Sequence, residues 1–151
     1  MTDIRMPALG YASGAFDLLH VGHLRYLQAA AARCRRLLVG IPDDEIIMRV
    51  KGHPPLVSQA ERRELVAGLA CVGEALAVSV SMDDTSTFAA FLEAHGVNAA
   101  FIGADWQHTP RWQRLEPALL ARGITVHFLP RAAGISSTRL RRGPNPVPPS
   151  A

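Results

Sequence analysis

The residues best suited to chemistry crowd into one stretch, Gly14-Ala15-Phe16-Asp17-Leu18-Leu19-His20-Val21-Gly22-His23. It follows an apolar run and opens a helical pattern, so it reads as a turn feeding a helix N-terminus. Such a turn offers free backbone N–H groups and the positive end of the helix dipole, both suited to phosphate. His20 and His23 stand three apart, which in helical geometry puts both imidazoles on one side at that end. Gly22 between them lets a ligand approach the backbone closely. Two imidazoles so placed can donate hydrogen bonds to a phosphate and carry charge as its negative charge grows. One histidine alone would read as a packed or capping side chain; the pair in this setting reads as a phosphate site. Metal ligation is the weaker alternative, because no third ligand stands nearby. No residue is assigned as a metal ligand.

Three later segments carry further polar groups. Lys51 falls in a stretch read as a loop and by itself would be a solvated lysine. Asp105-Trp106 follows an apolar run and reads equally well as a turn with a packed indole. Arg131 comes just after the last apolar run, and Ser136, Ser137 and Thr138 lead into a short basic segment. One hydroxyl at a helix start is an ordinary N-cap. A run of three beside Gly134 and Arg131 points instead to an anion.

These segments need elements to hold them. Strand-like apolar runs cover Ala8 to Ser13, Leu37 to Ile41, Ala75 to Val80, Ala99 to Ile102 and Ile124 to Leu129. Helical patterns alternate with them. Val21 to Arg33 puts Leu24, Leu27 and Ala31 on one face. Ser58 to Ala70 opens on the capping box Ser58-x-x-Glu61 and is expected to turn Leu65, Val66 and Leu69 inward. Phe88, Phe91 and Leu92 mark a helix that stops at His95-Gly96, and Pro117 and Gly123 bracket a shorter one. The alternation predicts an α/β fold, a Rossmann-like, doubly wound, parallel five-stranded sheet with helices on both faces. Ligands of such sheets bind beyond the carboxyl ends of the strands, where the strand order reverses. The domain is expected over residues 1–142, with a Pro-rich and disordered tail at 143–151.

Composition narrows the class. A chain of 151 residues fits one domain. Its N-terminus lacks the basic and apolar pattern of a secretory signal, and no apolar run approaches a membrane span. Cys34 and Cys71 fall in segments read as helical and resemble neither a disulfide framework nor a metal site. A cytoplasmic setting is the simplest expectation. The net charge of +3 comes partly from Arg33, Arg35 and Arg36 and from Arg139, Arg141 and Arg142, expected in the last turns of two helices. No aromatic residues interleave them as a base-stacking surface would need, so neither nucleic acid nor membrane is an expected partner.

Taken with their spacing, these segments resemble a known family. Gly14-x-Phe16-Asp17-x-x-His20-x-Gly22-His23 resembles the His-x-Gly-His signature of the cytidylyltransferase-like nucleotidyltransferases. Lys51-Gly52 followed by Pro55, then Glu61-Arg62-Arg63, resembles that family's substrate-loop lysine and Glu-x-Arg helix. Gly103-x-Asp105-Trp106 is similar to the Gly-Asp-Asp-Trp element of glycerol-3-phosphate cytidylyltransferases. Pro130-Arg131-x-x-Gly134-Ile135-Ser136-Ser137-Thr138 is similar to their Arg-Thr-x-Gly-Ile-Ser-Thr-Thr element. Four elements in family order, spanning Gly10 to Arg142, carry far more weight than one. Lys51 to Val57, with Asp84-Thr85, also resembles the adenylyltransferase domain that activates heptose phosphates.

The resemblance implies transfer of a nucleoside monophosphate to a phosphorylated acceptor with release of pyrophosphate. It implies catalytic roles for His20, His23, Lys51 and Arg131. Around the nucleotide it implies Ser13, Gly14, Ala15, Phe16, Gly103, Asp105, Trp106, Ile135, Ser136, Ser137 and Thr138, together with the two histidines and Arg131. For the acceptor it implies Asp17, Lys51 and Arg63. Mg²⁺ bridging the triphosphate is the expected cofactor, and a homodimer the expected assembly. CTP with a glycerol 3-phosphate-like or phosphonate acceptor is the preferred pairing. ATP with a heptose phosphate is the alternative, and a non-catalytic nucleotide-binding module is a third reading. The sequence departs from the cytidylyltransferase pattern at Ala15, where that family usually carries Thr, and at Cys71, which stands opposite a family Arg.

Overall fold

The computed structural model describes residues 5–130. Among them, β1 (Leu9–Ser13), β2 (Arg36–Pro42), β3 (Glu74–Val78), β4 (Ala99–Gly103) and β5 (Thr125–Leu129) alternate with five helices. These are α1 (Val21–Ala31), α2 (Asp44–Lys51), α3 (Gln59–Ala67), α4 (Thr85–Ala94) and α5 (Pro110–Leu120). A single 3₁₀ turn, Ala104–Trp106, follows β4. The strands form one parallel sheet in the order β3-β2-β1-β4-β5.

Alternation along each strand splits the interior into two layers. Ala12, Leu37, Val39, Ala99 and Phe101 point to one face and pack with Leu27 and Ala30 of α1 and Val66 of α3. Their neighbours Tyr11, Leu38, Ala100 and Ile102 point to the other, against Phe88 and Leu92 of α4 and Trp112, Leu115 and Leu119 of α5. The sheet is therefore doubly wound, as the sequence predicts. The chain leaves β1 toward β2 on one side and returns to it as β4 on the other, so the crevice at the switch point opens beyond Ser13 and Gly103.

The tight centre of the sheet depends on Gly40. A Cβ there would lie 2.0 Å from the Tyr11 hydroxyl, which crosses directly over it.

Several expectations need correction. Lys51, expected in a loop, is the last residue of α2, a helix for which no element was predicted; Asp43 caps it by accepting the Ile46 N–H at 2.8 Å, and left-handed Gly52 ends it. Helix α5 starts at Pro110, with Thr109 before it, and carries Pro117 in its interior. Pro110, not Pro117, holds the first-turn position that proline favours. Leu65 is 52% exposed. In its place Arg62 shares the inward stripe with Val66 and Leu69, because its guanidinium has backbone partners inside. Cys34 and Cys71 are free thiols in the turns after α1 and α3, outside the helices proper. Arg33 likewise lies past α1, though its guanidinium still donates to the Ala29 carbonyl at 2.7 Å. Arg36 opens β2 and meets Glu74 at 3.4 Å. Arg139, Arg141 and Arg142, and the expected boundary at 142–143, lie outside the described residues. Among the described residues no helix is long and apolar enough to cross a membrane.

Candidate functional site

A cleft of about 600 Å³ opens at the carboxyl ends of the strands. Each strand contributes to it, through Ser13, Pro42, Val78, Gly103 and Leu129. Gly14, Ala15, His20, Gly22, His23, Lys51, Asp105 and Trp106 line it too. The structure thus gathers expected residues from three separate segments at one opening. A second depression, of about 620 Å³, runs between α4 and α5 and carries none of them.

His20 is the N-cap of α1 and His23 its third helical residue. The two form a reciprocal cap. The Gly22 N–H donates to His20 Nδ1 at 3.1 Å, and the His20 N–H donates to His23 Nδ1 at 3.3 Å. A ring nitrogen that accepts is unprotonated, so in this arrangement Nδ1 is the acceptor and Nε2 the donor position of each ring. The rings stack with centroids 3.8 Å apart and planes 19° apart. Burial, then the neighbouring His20, then Lys51, lower the His23 pKa from its ordinary value to about 4. This refines the expectation of charged imidazoles: in the unliganded protein the pair supplies N–H donors and His23 holds no charge at neutral pH.

The turn before the pair is built tightly. Phe16 takes φ 51°, a left-handed conformation that a bulky residue adopts at a cost of about 1–3 kcal/mol. Its ring is 3% exposed and meets His23 edge-on at 5.2 Å. It also lies under Gly14, where a Cβ would come within 2.9 Å of it. So Phe16 does not line the cleft; it props the residues that do.

Asp17 was expected at the acceptor. It is instead 1% exposed, with its carboxylate accepting the Leu56 and Val57 N–H groups at 3.0 and 2.8 Å. Arg63 was expected there as well, but its side chain reaches back to donate to the Ala75 carbonyl at 2.9 Å, away from the cleft. Both therefore act on the scaffold.

The arginine that sequence reasoning missed is its neighbour. Arg62 is fully buried, yet it donates to the Val57, Ala15 and Pro42 carbonyls, each at 2.9 Å, and to the Asp44 carboxylate at 2.7 Å. It joins the histidine turn, the end of β2, the start of α2 and the segment before α3. Its inward register with Val66 was the available signal. Lys51 ends α2 at the cleft, and desolvation, then the Arg62 charge, lower its pKa.

On the β4 side, Trp106 is 47% exposed. The Arg111 guanidinium lies 5.9 Å from the centre of its indole. Arg111 is a cleft residue the sequence reading passed over; it forms a bidentate pair with Asp83 at 2.8 and 3.2 Å. Hydrogen bonding to Arg111 holds the Asp83 carboxyl below its ordinary range. The cleft also holds two phenols, buried Tyr11 and partly buried Tyr26, the latter donating to the Phe101 carbonyl. Burial raises both phenols far above the usual tyrosine range, so they stay neutral. Arg131, Ile135, Ser136, Ser137 and Thr138 lie outside the described residues.

Comparison with known proteins agrees with this geometry. A family model described as cytidylyltransferase-like matches residues 11–143. The bifunctional protein HldE of Halorhodospira halophila is 36% identical over 129 residues, which is 85% of this chain and 26% of that protein. The protein of the same name from Geotalea uraniireducens is 46% identical over 69 residues, 45% of this chain and 14% of that one. The chain thus spans about a quarter or less of the length of these relatives. Among solved structures, a lipopolysaccharide core biosynthesis protein from Thermoplasma volcanium superposes with TM-score 0.65 at 23% identity, covering 83% of this chain and 97% of that one. A pantothenate synthetase from Thermus thermophilus superposes with TM-score 0.54 at 14% identity, covering 85% of this chain and 57% of that one. These two likenesses show the fold.

Proposed function

This chain belongs to the cytidylyltransferase-like family of nucleotidyltransferases, and from that premise we propose that it transfers AMP from ATP to a sugar phosphate, releasing pyrophosphate. The observation that carries the reaction is the stacked His20–His23 pair, fixed by two backbone N–H groups and lining the switch-point cleft that Lys51 also lines. The choice of ATP draws on the likeness to the HldE proteins. It draws also on the resemblance of Lys51 to Val57 and Asp84-Thr85 to heptose-phosphate adenylyltransferase domains.

In this reaction an oxygen of the acceptor's phosphate dianion attacks the α-phosphorus of the nucleotide. A new P–O bond forms, the bond from the α-phosphorus to the bridging oxygen breaks, and pyrophosphate leaves with that electron pair. The acceptor is already an anion, so no base is needed. Catalysis then rests on alignment and on donors aimed at developing charge. The Nε2–H groups of His20 and His23 donate to the phosphate oxygens, and Lys51 holds the acceptor phosphate or the triphosphate. Trp106 and Asp105 help to place the nucleoside. Among the described residues no cluster of three or more His, Cys, Asp or Glu stands ready to hold a metal. Mg²⁺ is bound mainly by phosphates and water with one or two carboxylates, and Asp105 is the cleft carboxylate that fits this. When bound, the ion neutralises triphosphate charge.

CTP with a glycerol 3-phosphate-like acceptor is the second reading, favoured by the Gly103-x-Asp105-Trp106 element. Pyrophosphate release with Mg²⁺, run with ATP and CTP separately against sugar phosphates and glycerol 3-phosphate, decides between them. Turnover with ATP and a sugar phosphate supports the first reading, and turnover only with CTP replaces it by the second. Triphosphate binding without pyrophosphate from any acceptor would leave a nucleotide-binding module.

A further inference from the structure

The two sides of the cleft differ in kind. The side formed by β4 and α5 presents a carboxylate, a hydroxyl, a guanidinium and an exposed indole, on Asp105, Thr109, Arg111 and Trp106. The side formed by α2 and the end of β3 presents Ile46, Val50, Val78, Val80 and Met82, with Ser81 the polar side chain among them. Lys51, the last residue of α2, lines the cleft beside this apolar lobe, close enough to lower the His23 pKa. A phosphate held between Lys51 and the histidines would direct the body of its molecule against those five apolar side chains. A hydroxyl pressed there loses its water against a mainly apolar wall, with Ser81 among those side chains and Lys51 and Arg111 lining the same cleft; an unpaired polar group is costly to bury. A C–H edge or methyl group loses nothing and gains contact.

We propose that the acceptor is a deoxygenated sugar phosphate, one bearing a methyl or methylene where common sugars bear a hydroxyl, and that the α2–β3 lobe selects it. This rests on the sugar-phosphate reading above and narrows it. The polar side of the cleft then reads the nucleoside, and the apolar side reads what the acceptor lacks.

The test uses matched acceptor pairs in the pyrophosphate-release assay with ATP and Mg²⁺: 6-deoxyhexose 1-phosphates against their parent hexose 1-phosphates, and 2-deoxyribose 5-phosphate against ribose 5-phosphate. In at least one pair the deoxy compound is expected to show kcat/KM higher by about tenfold or more, the scale on which an apolar pocket discriminates. The substitution Met82→Gln should narrow that ratio. Because the ratio compares two acceptors on one variant, a general loss of folded protein cancels from it. Release in which every parent equals or exceeds its deoxy partner overturns the lobe's role and leaves the transferase reading standing. An unchanged ratio in Met82→Gln places the acceptor elsewhere and overturns the proposal too. No release from any acceptor removes the transferase reading, and this inference falls with it.

Discussion

His20 and His23 are aimed by a reciprocal pair of backbone bonds, and burial beside His20 holds His23 neutral. Each Nδ1 accepts a backbone N–H, which makes Nε2 the donor position of each ring. If that donor serves the transition state, His23→Ala lowers kcat by about 10²-fold, the loss typical of one such donor; pyrophosphate release reads it directly. The imidazole also leaves a mark on stability. An unfolded chain holds histidine near pH 6.5, whereas the folded, unliganded protein holds His23 near 4. Between those values the unfolded state binds the extra proton, so stability falls as pH drops from about 6.5 toward 4 and levels off below. Urea midpoints measured across that window should show the slope, and His23→Gln should flatten it. The histidine pair itself was legible, since spacing and the preceding glycine turn are written in the sequence. Its protonation was not, because that depends on stacking and burial. Asp17 and Arg63 misled for a related reason. A charged residue beside a motif looks like a ligand contact until its backbone partners, here Leu56, Val57 and Ala75, come into view.

At the scale of elements, Arg62 is the residue on which the site's geometry turns. One planar fork satisfies three backbone carbonyls and a carboxylate from separate segments. Arg62→Met removes all four bonds, including those of three partly buried carbonyls, an expected loss of about 3 kcal/mol that a shift in urea midpoint would register. Arg62→Lys should recover little of it, since an ammonium cannot reproduce the fork. A lysine variant as stable as the parent would refute this account. The helix carrying Arg62 was legible from its cap, but its rotation was not. Hydropathy alone turns Leu65 inward; the carbonyls of Ala15 and Pro42 turn Arg62 there instead. Helix α2 escaped notice because it is short and begins with acidic residues, so its two-turn apolar stripe of Ile46, Ile47 and Val50 looked like part of a loop.

For the whole molecule, the doubly wound sheet could be read in advance because its strands are continuous apolar runs separated by amphipathic helices. Neighbouring residues on each strand feed opposite cores, and that needs apolar side chains at consecutive positions. The gathering of residues 13–23, 51 and 103–106 at one opening follows from that topology. Ligand preference is a property at this scale, since the cleft draws on all the strands. ATP at about a hundred times its dissociation constant should stabilise the fold by about 2.7 kcal/mol. On the proposed reading ATP raises the melting temperature more than CTP does at equal concentration. The reverse order would favour the cytidylyl reading.

The position of β1 at the centre of the sheet has a bearing on how the protein is made. Gly10 pairs with Leu37 on one side and with Ala99, 89 residues further along the chain, on the other. On a ribosome adding about 5–20 residues per second, β1 can join β2 early but waits on the order of ten seconds for β4. Throughout that wait its second edge is an open template for other nascent chains, and such distant pairing slows folding in general. Pulse-labelled hydrogen exchange during refolding should therefore protect the β1–β2 amides first and the β1–β4 amides last. Crowded expression would punish this strand before any other, and the Gly103–Trp106 side of the cleft, which hangs from β4, would take shape after the histidine turn.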